Sequence, residues 1–366
     1  MINLLYFSIV FAFCYFIQRL FLKKEFSSTA SGAIVMGNGI FLYSAMQQFP
    51  SLYDYGEIFA FILAAVWALI VISIISTIPK HSFKKRHFPN SIHVFAIGTW
   101  VAGTSVLGNV IHQFSLNLGI FPYIMGILNV ALYIWYMYHI FKAYREIFRT
   151  SAKNQVHGVI LLSTVSTQSI VLLLFNIFNK GLPDWGSATL IGFGILLYCI
   201  GLYLIFRRYV FIRNWNMKDD WKNTNCILHG AISITGLATV TTGVFNYNFI
   251  LLLWIWVIAL FVIVEGIEIS RIIIRIKSYG LVLAIGSYDE SQWSRNFTFG
   301  MLYAFTARFQ MDTSSIFYPI RNIIIEYGPW VVLLFLVNEI LLFFKVKWNK
   351  KRDLKQGEVG TNGSKA

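Results

Sequence analysis

Acidic side chains are scarce in this sequence: 16 Asp and Glu stand against 30 Lys and Arg in 366 residues, a formal net charge of +14. Cysteine is rarer still, and Cys14, Cys199 and Cys226 each lie in an apolar run, which argues against a disulfide framework. Proline is sparse too. Pro50, Pro79, Pro89, Pro122, Pro183, Pro319 and Pro329 are all expected at or near helix ends. No GxGxxG, phosphate-binding loop or nucleophile elbow stands in a strand-to-helix context, and no polar insertion is long enough for a soluble motor domain. An ATP-driven pump is therefore disfavoured. The seven His residues are scattered without the paired spacing of a metal site. No metal, cofactor or enzymatic activity is expected.

What the chain has in abundance is apolar length. Hydrophobic residues make up 57% of it, and the apolar runs repeat at about 17–25 residues, the length of an α-helix crossing a hydrocarbon core. Those runs are continuous, without the period-2 alternation of a membrane β-barrel. Spans are expected near 3–22, 28–48, 56–78, 91–115, 118–141, 156–178, 186–206, 225–246, 248–274, 294–311 and 329–344. The first carries no basic n-region and no small-residue cleavage site, so it is taken as a retained helix.

The positive charge alternates between loops. Lys23-Lys24, Lys80 to Arg86, Lys142 to Lys153, Arg207 to Lys222, Arg271 to Lys277 and Lys345 to Lys355 fall on one side. The turns near 49–57, Asn117, 179–186, Asn246 and 312–328 hold only Lys180 and Arg321. The positive-inside rule then places the N-terminus outside and the C-terminus in the cytoplasm of a cell membrane. Charge spread over short loops does not suit nucleic acid, so the expected surroundings are a lipid bilayer. The abundance of Ile, Asn, Lys and Phe suggests a bacterial source.

Ten of the eleven spans form five pairs whose first members begin near 28, 91, 156, 225 and 294, a repeat of roughly 63–69 residues. First members are rich in small and polar residues: Gly37, Asn38 and Gly39; Thr99, Gly103 and Thr104; Ser166 and Thr167; Ser233, Thr235 and Gly236; and Gly300. Second members are aliphatic and aromatic, as in IFAFILAAVWALIVISII. Bulky apolar side chains suit lipid, whereas small ones permit close helix approach and hydroxyls seek partners or water. The expectation is an all-α polytopic membrane protein: a ten-helix core of five hairpins with pseudo-fivefold symmetry around a central pore, plus one extra N-terminal helix. Its parts are 1–27 (extra helix and basic turn), 28–347 (core) and 348–366 (polar, disordered cytoplasmic tail). The listed small and polar residues would line the pore, or would merely pack the helices of a non-transporting scaffold.

VMGNGI (35–40) resembles the opening of the first core helix in the tellurite-resistance/dicarboxylate-transporter family, which includes slow anion channels. WSRNFTFGM (293–301) is similar to the start of that family's ninth core helix, and 28–344 resembles its five-hairpin plan. The resemblance implies small inorganic or organic anions as substrates, often a homotrimer, and a phenylalanine occluding the path. By residue match that ring is Phe299, with Phe297 as alternate. Mid-helix prolines usual in the family are missing; Gly39, Gly103, Gly236 and Gly300 are expected to relax the backbone in their place.

Ionisable groups inside spans are functional candidates by default. Glu265, Glu268 and Arg271, at i, i+3 and i+6, are placed to pair along one face near the inner end of a lipid-type helix. Glu339 is either a packed carboxylate or a proton-coupling site. Arg308 would draw anions to the outer vestibule or snorkel outward. His229 would change charge near the cytoplasmic mouth or serve in packing. Asn296-Phe297-Thr298 matches a glycosylation acceptor but falls at the inner end of a span. The expected function is passive or gradient-driven transport of small anions. A proton-coupled organic-acid carrier is the alternative.

Overall fold

A computed structural model describes residues 2–21, 26–114, 120–178, 181–212, 215–286 and 288–362. Lys23-Lys24, the turn at Asn117 and Lys180 lie outside the described residues. Eleven helices of twelve residues or more account for most of the described chain, and no strand occurs in it. We number them α1 (Ile2–Phe21), α2 (Gly32–Tyr43), α3 (Gly56–Ile75), α4 (Gly98–Gln113), α5 (Phe121–Arg149), α6 (Leu162–Ile177), α7 (Asp184–Phe206), α8 (Ile227–Thr242), α9 (Tyr247–Tyr279), α10 (Trp293–Arg308) and α11 (Tyr318–Asn362).

Seven helical segments are long and apolar enough to cross a bilayer: Gly56–Ile75, His93–Gln113, Phe121–Arg149, Gly158–Ile177, Asp184–Phe211, Tyr247–Tyr279 and Tyr318–Asn349. The chain is an all-helical, multi-pass membrane protein. Within that set His93–Gln113 and Gly158–Ile177 are almost wholly buried, while the other five expose most of their surface. Ile58, Ile62 and Ile72 on α3, and Ile127, Leu128 and Ile134 on α5, lie open on the outside. Apolar exposure on that scale identifies the surface that lipid covers.

The helices rich in small residues pack on one another in a closed cycle: α2 with α4, α4 with α6, α6 with α8, α8 with α10, and α10 back on α2. Small residues bring the backbones close. A Cβ on Gly230 of α8 would collide with Thr298 of α10, and one on Gly103 of α4 would stand 3.0 Å from the Gly32 carbonyl oxygen of α2. Gly32 lies against Thr99 and Gly39 against Val106, so α2 and α4 run parallel. α3, α5, α7, α9 and α11 pack outside this cycle, and α1 rests on α3 and α11.

Each cycle helix is entered through a short 3₁₀ turn: Thr29–Ser31, His93–Ile97, Gly158–Leu161, Asn223–Cys226 and Glu290–Gln292. Side chains begin several of them. Ser28 accepts from Ala30 N, His157 from Val159 N, and Asp289 with Gln292 completes a capping box. These turns touch in the same cyclic order as the helices they open.

Two expectations need correction at the C-terminal end. The last helix begins at Tyr318 instead of near 329, so Pro329 lies inside it and not at its end. The helix runs unbroken through Gly328 and Pro329, and proline inside a membrane helix is tolerated where neighbours satisfy the freed carbonyl. The backbone also stays helical through Asn362, where a disordered tail is expected from polarity alone. Lys, Arg, Leu, Gln and Glu dominate KKRDLKQGE, and these are strong helix formers.

Candidate functional site

Contacts fix the faces of α10. Asn296 and Gly300 meet α2, through Gly37 and Ile40, and Phe305 meets Gly236 of α8. Thr306 accepts from Trp254 Nε1 of α9 at 3.1 Å. Phe299 packs edge-on against Phe261 of α9 and Phe335 of α11, with ring centroids 5.2 and 4.8 Å away, and against His229 at 5.9 Å. At 100° per residue the remaining face carries Phe297, Met301, Ala304 and Arg308, and it turns into the cycle. The ring matched by family resemblance therefore lies among the outer helices. Its alternate, Phe297, is the one directed inward, 1% exposed and level with Met36.

The same reasoning turns Met36 and Tyr43 of α2, Ala102 and Asn109 of α4, Val165 and Asn176 of α6, and Ile234 and Thr241 of α8 inward. Side chains from helices that are not neighbours meet there. Asn176 Nδ2 donates to Tyr43 Oη at 3.2 Å and to Asn109 Oδ1 at 2.9 Å. The Arg308 guanidinium sits 4.3 Å over the Tyr43 ring. Thr241 Oγ1 is buried without a partner among the described residues. One end of the enclosed interior is thus polar. Its middle, with Met36, Ile40, Ala102, Val165, Ile234 and Met301, is apolar and buried.

The small polar residues proposed from sequence as a lining act mostly in packing. Ser233 and Thr235 donate to the carbonyls of His229 and Ala231 in their own helix, and Ser166 to those of Leu162 and Gly98. Thr104 accepts from Trp67 of α3, and Thr167 pairs with Tyr133 of α5. Thr99 donates to Thr29 and Ala96 carbonyls, and Asn38 to the carbonyl of Ile34. Gly37, Gly39, Gly103, Gly236 and Gly300 sit at helix–helix contacts.

A charge cluster lies across α8 to α11 at the end where the cycle helices begin. Glu265 lies 3.4 Å from His229 Nε2 and forms an ion pair with Arg295 Nη1 at 3.3 Å. Arg295 Nη2 lies 3.4 Å from Glu268, which takes Arg271 Nη1 at 2.8 Å. Arg271 also donates to Asn223 Oδ1 at 2.8 Å. The antiparallel contacts Gly328 to Tyr303 and Phe335 to Phe299 bring Glu339 level with Arg295, within its electrostatic reach. Glu339 Oε2 and both amide atoms of Asn296 are buried with no hydrogen-bond partner among the described residues. Sequence reasoning found Glu265, Glu268 and Arg271 as one set, and His229 and Glu339 apart from it. It missed Arg295, the residue that joins them, whose signal was a guanidinium two residues into a membrane helix.

The 3₁₀ turns form a collar at that same end. Thr29 Oγ1 meets His87 Nδ1 at 2.9 Å and His93 Nε2 at 2.7 Å; His157 Nδ1 meets Thr224 Oγ1 at 2.7 Å. Gly158 N donates to Asn225 Oδ1, Asn223 Nδ2 to Ser291 Oγ, and Ser31 Oγ to Glu290 Oε2. Burial, together with His93 and Arg86, pushes the His87 imidazole from its ordinary 6.5 down to about 4. No family model matches the chain, and no curated protein does.

Proposed function

We propose that the protein carries small anions, passively or down a gradient, through the interior of the cycle formed by α2, α4, α6, α8 and α10. The observation that carries this reading is the cycle itself: five helices in one closed order, shielded by oily partners, enclosing a face without fixed negative charge. Their N-termini gather at the basic end, where helix dipoles favour anions. The polar end offers Arg308, Asn109, Asn176 and Tyr43. In this reading the five hairpins are pseudo-symmetric around a pore, as in the tellurite-resistance/dicarboxylate-transporter family, and a trimer is the expected assembly. Selectivity would follow dehydration cost, so larger, weakly hydrated anions pass more readily than chloride.

Phe297, not Phe299, is the occluding ring in this scheme, because it alone of the two points inward. Anion flux into liposomes tests it. Phe297→Ala should raise flux about tenfold, the gain expected when a barrier falls by about 1.4 kcal/mol. Phe299→Ala should change flux far less. Equal effects would remove the assignment. Absence of flux from wild type and from Phe297→Ala would instead favour a non-transporting scaffold, which the tightly filled interior suits equally.

The charge cluster favours a second reading, a proton-coupled organic-acid carrier. Two guanidiniums, Arg271 and Arg295, face three carboxylates, Glu265, Glu268 and Glu339. One proton, on His229 or Glu339, balances the set, and an unbalanced charge is costly in the membrane. Coupling would make reversal potential follow a pH gradient, and Glu339→Gln should abolish that shift. A reversal potential indifferent to pH in wild type rules the carrier out.

A further inference from the structure

A cavity of about 480 Å³ opens beside the collar, walled by Asn90, His93, Gln155, His157, Arg208, Asp220 and Lys222 among others. Its size is that of a small-molecule site. The second and third 3₁₀ turns, His93–Ile97 and Gly158–Leu161, contribute to its wall. It lies apart from the inward faces of the cycle and from the charge cluster of α8 to α11.

Two cations stand there without an ion pair among the described residues. Arg208 is 6% exposed, and its guanidinium has one hydrogen bond, Nη1 to the Val156 carbonyl at 2.5 Å, with the rest of its donors left over. Lys222 Nζ donates only to the Asp219 carbonyl at 3.0 Å. Among the described residues no carboxylate lies within ion-pairing distance of either cation. The guanidinium lies over the Tyr209 ring at 4.9 Å, and a planar fork with free N–H groups matches a phosphate. Asp220 has one oxygen occupied by Asn216 N at 2.7 Å. Its carboxylate and the amides of Asn90 and Gln155 make a second side to the cavity, suited to hydroxyls.

We propose that this cavity binds a phosphate that carries adjacent hydroxyl groups, with the phosphate on Arg208 and Lys222 and the hydroxyls toward Asp220, Asn90 and Gln155. A soluble polyol phosphate and a glycerol-bearing phospholipid headgroup share that chemistry. The site is independent of whether anions cross the interior, because it is read by binding and not by flux.

Titration calorimetry of the full-length protein in detergent, with glycerol 3-phosphate as probe and glycerol as control, tests the soluble source. Saturable binding to glycerol 3-phosphate alone is expected, weakened about tenfold in Lys222→Gln, a loss typical of a charge-assisted hydrogen bond. Lys222 is exposed, so this variant keeps the fold that a change at the buried Arg208 would endanger. For the lipid source, melting is compared in nanodiscs of phosphatidylglycerol and of phosphatidylcholine. A higher midpoint in phosphatidylglycerol that Lys222→Gln removes supports the site with a lipid occupant. Binding unchanged in Lys222→Gln, or no response to either source, overturns the proposal.

Discussion

At the scale of single residues, the collar of 3₁₀ turns depends on how Thr29 is shared. Its hydroxyl bridges the His87 and His93 rings, and His87 Nε2 is buried with no partner among the described residues. A proton added to His87 would therefore bring charge to an unsolvated nitrogen beside Arg86. The imidazole is held neutral, with its folded value near 4 below the ordinary 6.5. The unfolded chain binds this proton first as pH falls, so the stability it contributes is whole above about 6.5 and is lost on the way down to about 4. Melting midpoints of the detergent-solubilised protein should fall more steeply across that window in wild type than in His87→Gln. Parallel curves would show that His87 does not carry the effect.

Helices were legible in the sequence to the extent that hydrophobic length decides them. A helix occurs at each of the eleven expected spans, and seven helical segments are long and apolar enough to cross a bilayer, where a backbone must satisfy its bonds internally. The face each helix turns inward was not legible, since it depends on which neighbours it meets. Phe297 and Phe299 differ by two residues in sequence and by about 200° around α10. Nothing in WSRNFTFGM alone chooses between them; the contacts of Asn296, Gly300 and Phe305 do. Hydroxyls misled for a related reason: in an apolar helix Ser and Thr satisfy themselves on the carbonyl four residues back, as Ser233 and Thr235 do. Close approach at this scale is testable. A Cβ on Gly158 would strike the Thr224 carbonyl, a backbone atom unable to rotate away. Gly158→Ala should cost about 1–3 kcal/mol by overpacking, read as a lower melting midpoint. Gly192, where a Cβ meets open space, is the control, and Gly192→Ala should leave the midpoint unchanged.

For the molecule as a whole, the direction in which it sits in the bilayer decides what the collar faces. The five cycle helices run parallel, so their N-terminal turns, the charge cluster and the cavity beside Arg208 all lie at one end. The basic loops Lys80 to Arg86, Lys142 to Lys153 and Arg207 to Lys222 lie at that end as well. Lys and Arg near span ends are retained on the cytoplasmic side, so we expect the collar inside and the Tyr43, Asn176 and Arg308 end outside. Single cysteines at two exposed positions of opposite ends, Ser51→Cys and Lys84→Cys, read this in intact cells with a membrane-impermeant maleimide, in a background lacking Cys14, Cys199 and Cys226. Cysteine at 51 should label directly, and cysteine at 84 only after permeabilisation. The reverse pattern would place the gathered N-termini and their dipoles outside, so that anions would be drawn in from the exterior and the phosphate cavity would be closed to cytoplasmic ligands.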